Sequence, residues 1–259
     1  IIIAFGIVAG TFINGKFSKI NFQDLDENDL GTNDDIYSEI EGLTKKEYDQ
    51  VINIMLLGSD SKDMSDTYGG NSDAMMIISV NPKYTSIKLI SIPRDTAANI
   101  DGVKNRYKIN YAFATGKEQL ALKTVNQTFD LNLKEYVTIN ISSMYDIINE
   151  LGGVEVNVTK DEMKWVNEYV DMFYKFSGKR TKNLTRYGKV TLTGEQAAAY
   201  VKERMSGTNN KNSEHGDYGR TRRQRDVFIS MLNKIASKEP TEISRILDLI
   251  LSQVTTNIN

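Results

Sequence analysis

At 259 residues the chain has room for one large or two small domains, and 40% hydrophobic with 25% charged residues is ordinary globular composition. With no cysteine and a single histidine, His215, disulfides, thiolate catalysis, cysteine-ligated zinc and multi-histidine metal sites are excluded. The net charge of −2 hides a division: residues 21–66 hold thirteen Asp and Glu against three Lys, and residues 177–238 hold fourteen Lys and Arg against five Asp and Glu. A basic back half suits nucleic acid, a membrane surface or a phosphate substrate.

Residues 1–13, IIIAFGIVAGTFI, are apolar and uncharged, too short to span a bilayer alone but readable as the outer end of a truncated transmembrane anchor. Residues 14–50 are polar and acidic with few large apolar side chains, the composition of a linker or stalk. The folded domain is expected over 51–259. Val51–Gly58 (VINIMLLG) is a short, almost wholly apolar run ending in glycine, the pattern of a strand buried on both faces. Ala74–Asn81 and Ser86–Ile92 read as further strands joined through Asn81-Pro82. Thr115–Asp130 reads as a helix, Tyr136–Ile141 as a strand, and SSMYDIINEL as a helix closed by Gly152-Gly153. VEVNV is a strand, DEMKWVNEYVDMFYKF an amphipathic helix and Ser177–Val190 a basic loop. Thr193 with Gln196 makes a capping box opening the helix EQAAAYVKERM. Ser206–Asp217 is a loop carrying His215, read as solvated, and a last helix follows Pro240 near Glu242–Val254. Strands interleaved with helices predict an α/β fold with a mixed central sheet sandwiched by helices.

Three polar loops interrupt the apolar pattern at strand ends, where α/β sheets bind ligands: GSDSKD with Asp60 and Lys62, NSD with Asp73, and PRDT with Arg94 and Asp95. Asp60 and Asp73 are hard oxygen ligands which, with phosphate oxygens and water, describe a magnesium site; taken singly, each is an ordinary turn residue. Arg94 offers a bidentate phosphate donor, and Lys108, Lys202 and Arg204 add positive charge. The run Gly216–Phe228 (GDYGRTRRQRDVF) holds Arg220, Arg222, Arg223 and Arg225, four of the ten arginines in the chain. A helix through it places Arg220 and Gln224 one turn apart, in line with an apolar stripe from Val227 to Ile235. A guanidinium on such a face calls for an anion, although a solvated basic helix start has the same pattern.

These residues carry a resemblance. INIMLLGSDS, NSDAMMIISVNPKYTSIKLISIPRDT, KINYAFA, YVTINI, INELGGVEVNV, LTGEQAAAYVKERM and GDYGRTRRQRDVF fall in the order of the LytR–CpsA–Psr (LCP) family and cover residues 51–237. The resemblance implies a phosphotransferase that moves a glycopolymer from a polyprenyl-pyrophosphate carrier to peptidoglycan at a Gram-positive surface. It also implies a single-pass membrane anchor with the domain outside the cell, and a hydrophobic channel for the lipid. By motif match Asp60 and Asp73 hold Mg²⁺ (or Mn²⁺), and Arg94, Lys202, Arg204, Arg220 and Gln224 contact the pyrophosphate. Arg223 and Arg225 support that cluster, with Lys108 and Lys62 as weaker assignments, and Phe113, Leu122, Val125 and the Val227–Ile235 stripe are candidates for the channel wall or for plain core. The general base is Asp95 or Asp60. Asn71 stands where the family usually has Arg, which removes one expected phosphate contact. A non-catalytic polyprenyl-phosphate-binding scaffold is the alternative. Nucleic acid is not the expected partner, because the basic helix lacks interleaved aromatics.

Overall fold

The computed structural model describes residues 21–39, 44–60, 70–177, 181–206 and 216–258. The apolar run 1–13, Lys62 and His215 lie outside the described residues. Strands are β1 (Asn21–Phe22), β2 (Ile52–Ser59), β3 (Ser72–Asn81), β4 (Ser86–Ser91), β5 (Ala97–Ala98), β6 (Tyr107–Lys108), β7 (Glu135–Asn140), β8 (Val154–Val158), β9 (Gly188–Leu192) and β10 (Val254–Thr256). Helices are α1 (Lys45–Tyr48), α2 (Tyr111–Phe129), α3 (Ile141–Glu150), α4 (Lys160–Ser177), α5 (Gly194–Lys202), α6 (Gly216–Ala236) and α7 (Pro240–Leu251). The described residues divide into two compact units, one formed by Ser142–Ile250, the other by the described residues from Asn21 to Ile141 together with those from Leu251 onward.

The second of these, the sheet unit, is built on six strands in the order β1-β10-β7-β2-β3-β4. β2 runs antiparallel to β3 and parallel to β7, so the sheet is mixed as the sequence predicts. Met55, Leu57, Met75, Ile77 and Tyr136 alternate onto one face and are buried with Ala121, Leu122 and Val125 of α2. Their intervening neighbours Ile54, Met76 and Ile78 are buried too, which is why these strands read as unbroken apolar runs. Each such side chain contributes about 1.5–3 kcal/mol on burial. Phe113, Leu122 and Val125 are buried in this core.

The acidic segment is not a free stalk throughout. Asn21 and Phe22 pair with Thr255 and Thr256, and Leu25 and Leu30 belong to the core. Buried Asn126 ties this segment to α2: its amide donates to the carbonyls of Leu30 and Leu133 and accepts the Leu133 N–H. α2 is broken at Gly116 and Lys117, whose backbone leaves the helical region. Strand β10 lies where the sequence extended the last helix; Val254, Thr255 and Thr256 are all buried, and their ladder with β7 overrides the helical pattern.

The helical unit pairs β8 with β9 antiparallel and packs Val154, Val156, Val158, Val190 and Leu192 against Val166, Val170, Ala197, Tyr200 and Val227. β9 replaces the end of the predicted basic loop. Val227 is core in this unit. The predicted capping box at α5 is present: Thr193 accepts the Gln196 N–H and the Gln196 side chain accepts the Thr193 N–H.

Candidate functional site

In the sheet unit the site begins at a bulge. Gly58 pairs with Ala74 and Ser59 with Ser72, so Asp73 is an extra residue without a partner on β2. Asp73 therefore opens β3 rather than preceding it in a loop. A bulge turns its extra side chain out of the ladder's alternation. Gly58 permits the close pairing beside it, since a Cβ there would lie 2.9 Å from that of Ala74. The freed Asp73 carboxylate meets Arg94 Nη1 at 2.5 Å. Asp60 follows Ser59 directly, and its N–H donates to the Asn71 carbonyl at 3.3 Å. The two aspartates thus flank one cross-strand pair, Ser59 and Ser72.

The charge alternation continues outward. Arg94 Nε is 4.0 Å from Asp95 Oδ1, and Lys108 Nζ lies 2.7 Å from that same oxygen. The β5–β6 register sets this contact by pairing Ala97 with Lys108. Side-chain exposure rises from 17% at Arg94 to 40% at Asp95 and 56% at Lys108, so the series leads from half-buried to open water. Asp73, Arg94, Asp95 and Lys108 are accordingly one linked group within one unit, and Asp60 lies one residue past the Ser59–Ser72 pair beside the bulge.

The donor set suits a hard divalent cation. Among the described residues no three acidic or histidine side chains converge as a ready cage. Two carboxylates with the remaining positions left to water and phosphate is how Mg²⁺ is commonly held. Beside them the Ser72 Oγ is buried and has no partner among the described residues, an oxygen available to such a shell.

The helical unit carries the second group. Arg220 on the first turns of α6 is only 4% exposed and is met by Asp217 at 2.8 Å, the anion its burial demands. Gln224 and Arg225 lie half-buried further along. Arg222 pairs with Asp226 at 2.8 Å and also with Glu162. Arg223, expected to support the cluster, is fully buried and pairs with Glu162 and Glu203 in the unit's interior. Its Nε donates to the Tyr200 carbonyl at 3.1 Å, Nη1 to Glu162 at 3.2 Å and Nη2 to the Glu203 carbonyl. The buried side of α6 therefore includes Arg220, Arg223, Val227 and Ser230, with Gln224 half-buried at its edge.

Glu203, the partner that sequence reasoning missed, shapes the turn that carries the other two cations. α5 ends at Lys202, and Glu203 is an extended cap, so Arg204 stands beyond the helix rather than on it. The Glu203 carboxylate accepts the N–H groups of Met205 and Ser206 and the Ser206 hydroxyl. Lys202 is half-buried and Arg204 exposed on either side of this anchored residue. Burial opposes ionisation of Glu162, but the Thr159 N–H and the Arg222 and Arg223 guanidiniums outweigh it and hold its carboxyl below the usual range. Burial pushes the Tyr200 phenol up to about 12.

The LytR_cpsA_psr family model matches residues 18–259. A polyisoprenyl-teichoic acid–peptidoglycan teichoic acid transferase, TagU, of Halalkalibacterium halodurans is 30% identical over 99% of this chain and 75% of its own length. The TagU of Bacillus cereus is 34% identical over 80% of this chain, which spans only 60% of that relative. Among solved structures, B. subtilis TagV superposes with a TM-score of 0.65 at 27% identity, covering 81% of this chain and 75% of that one. TagT bound to LI-WTA gives 0.62 at 28% identity over 82% and 71% of the two chains. A LytR-CPS2A-psr protein, YwtF (TagT), with bound octaprenyl pyrophosphate lipid gives 0.56 at 28% identity over 80% and 75%.

Proposed function

The chain belongs to the LytR–CpsA–Psr family, and from that premise we propose that it transfers an anionic glycopolymer from a polyprenyl-pyrophosphate carrier to a peptidoglycan sugar hydroxyl. The hydroxyl oxygen attacks the glycan-linked phosphorus, the bond from that phosphorus to the bridging oxygen breaks, and polyprenyl phosphate leaves. Asp95, the exposed carboxylate of the sheet-unit group, accepts the hydroxyl proton. Arg94 grips the phosphate oxygens as a planar fork, with Lys108 beside it. Within the helical unit, Arg220, Gln224, Lys202 and Arg204 are candidate phosphate donors, with Arg225 in support. Fixed cations of this kind lower the barrier because charge grows on the leaving oxygen.

Asp60 and Asp73 would hold Mg²⁺, which when bound acts as a Lewis acid and template. Arg94, already paired with Asp73, would hold the phosphate beside that site. The reading includes a hydrophobic channel for the polyprenyl chain, a membrane anchor in residues 1–13 and a location outside the cell. Among the described residues no helix is long and apolar enough to cross a membrane. One observation carries the proposal furthest: the bulge that frees Asp73 for Arg94 sits between Asp60 and the PRDT loop, at the strand ends. Asn71, in place of the family's usual Arg, favours a second reading, a polyprenyl-phosphate-binding scaffold without transfer. Incubating the protein with a labelled polyprenyl-pyrophosphate glycan and insoluble peptidoglycan separates them: label fixed to the peptidoglycan supports transfer, and label held only on lipid supports the scaffold.

A further inference from the structure

We propose that Tyr107, Tyr111 and Asn110 form a subsite for a sugar ring on the surface of the sheet unit. Tyr107 is 51% and Tyr111 39% exposed, an unusual amount of aromatic area left in water by one short segment. The rings hold each other edge to face, with centroids 4.9 Å apart and planes at 66°. Such a pair is rigid and amphipathic, offering flat apolar faces rimmed by hydroxyls at little entropic cost. The C–H face of a pyranose, itself rimmed by hydroxyls, is the ligand chemistry that matches.

The segment is fixed against the charged group. Tyr107 pairs with Ala98 and Lys108 with Ala97, the Ile109 N–H donates to Thr96, and the Asn110 N–H donates to Arg94. The segment that carries the rings also carries Lys108, which meets Asp95 at 2.7 Å, the carboxylate to which the transfer reading brings the attacking hydroxyl.

Asn110 supplies the third observation. It is 4% exposed and occupies the N-cap of α2, yet its side chain makes no capping bond. Its amide is therefore not committed to the helix end. An amide presents one acceptor and two donors, the complement of a sugar hydroxyl. A prenyl chain would match neither this amide nor the hydroxyl-rimmed rings, so the sugar is preferred to the lipid as occupant.

The choice of sugar rests on the transfer reading: it belongs either to the peptidoglycan acceptor or to the first residue of the donor glycan. The test titrates the protein with a soluble peptidoglycan disaccharide and with polyprenyl pyrophosphate carrying or lacking N-acetylglucosamine, following tyrosine ring resonances and binding heat. Tyr107→Ala and Tyr111→Ala should each weaken sugar binding roughly tenfold, while Tyr107→Phe retains most of it. Asn110→Ala should weaken it similarly, with Asn110→Ser as a milder change that preserves a capping side chain. Loss confined to the disaccharide assigns the acceptor sugar, and loss confined to the sugar-bearing lipid assigns the donor sugar. Sugar affinities changed less than twofold in both tyrosine variants overturn the subsite, as does a wild type that binds neither sugar. A wild type that binds the sugar through these residues but transfers nothing overturns the transfer reading and leaves the subsite standing.

Discussion

Arg223 Nη2 lies 3.1 Å from the carboxylate of Glu203, and neither side chain has any exposed surface. The pair joins α6 to the end of α5 within the helical unit, where Arg223 also donates to the Tyr200 and Glu203 carbonyls. Removing one partner leaves the other charge buried and uncompensated, which typically costs about 3–5 kcal/mol. Glu203→Ala and Arg223→Ala should each lower unfolding stability by about that amount in urea melts. A loss near the level of an exposed pair, below about 1 kcal/mol, would contradict the buried-fastener assignment.

Acid should attack the same unit through Glu162. Its carboxyl is held below the usual range, so it contributes stability above the unfolded value near ~4.3 and loses that contribution as pH falls through its lowered folded value. Thermal melts from pH 7 to pH 3 should show Glu162→Gln less stable than wild type at neutral pH, with the gap closing below about pH 4. A gap that stays constant across the range would rule out ionic stabilisation by Arg222 and Arg223.

At the bulge, Arg94→Lys keeps the charge beside Asp73 but loses the planar fork, so pyrophosphate binding should weaken while metal response persists. Asp73→Asn preserves the shape and removes the charge, so Mg²⁺ dependence should shift to higher metal concentration by at least tenfold, a loss of about 1.4 kcal/mol. Titrating Mg²⁺ against lipid binding in the two variants separates these effects. Identical behaviour would mean that the pair acts only as a structural salt bridge.

Gly194 opens α5 where it crosses α3, and a Cβ there would sit 2.4 Å from the Tyr145 carbonyl oxygen. The Gly194 N–H also donates to Asn149 at 2.8 Å, so the backbone cannot retreat without losing that bond. Gly194→Ala should cost about 1–3 kcal/mol by overpacking. Calorimetry reads the change, and a melting temperature equal to wild type would contradict the close approach.

The central strands were legible in the sequence because both faces of β2 and β3 are buried, leaving runs such as INIMLLG that no helix stripe imitates. Strands β9 and β10 were not, because GKVTL and VTT are short and polar enough to pass for loop and helix end; their pairing partners lie about 30 and 117 residues away. The polar loops that hold Asp60, Asp73 and Arg94 were visible as interruptions at strand ends. The bulge that aims Asp73 at Arg94 was not, since it depends on which residue faces Gly58 across the ladder. The interior partners of Arg223 were not legible either, because nothing local reveals Glu162 and Glu203, 61 and 20 residues distant. Asn110 fell inside the KINYAFA motif, but the helix was expected only from Thr115, so nothing marked it as the N-cap.

The most direct test of the account follows the lipid product by mass when the protein meets a polyprenyl-pyrophosphate glycan and peptidoglycan, with and without Mg²⁺. Wild type should release polyprenyl monophosphate in step with glycan joined to peptidoglycan, only with metal, and Asp73→Ala and Arg220→Ala should each reduce this by at least a hundredfold, about 2.7 kcal/mol in barrier. Tight lipid binding with no monophosphate under any condition, and no difference between wild type and the two variants, would contradict it and leave the chain a carrier-lipid scaffold.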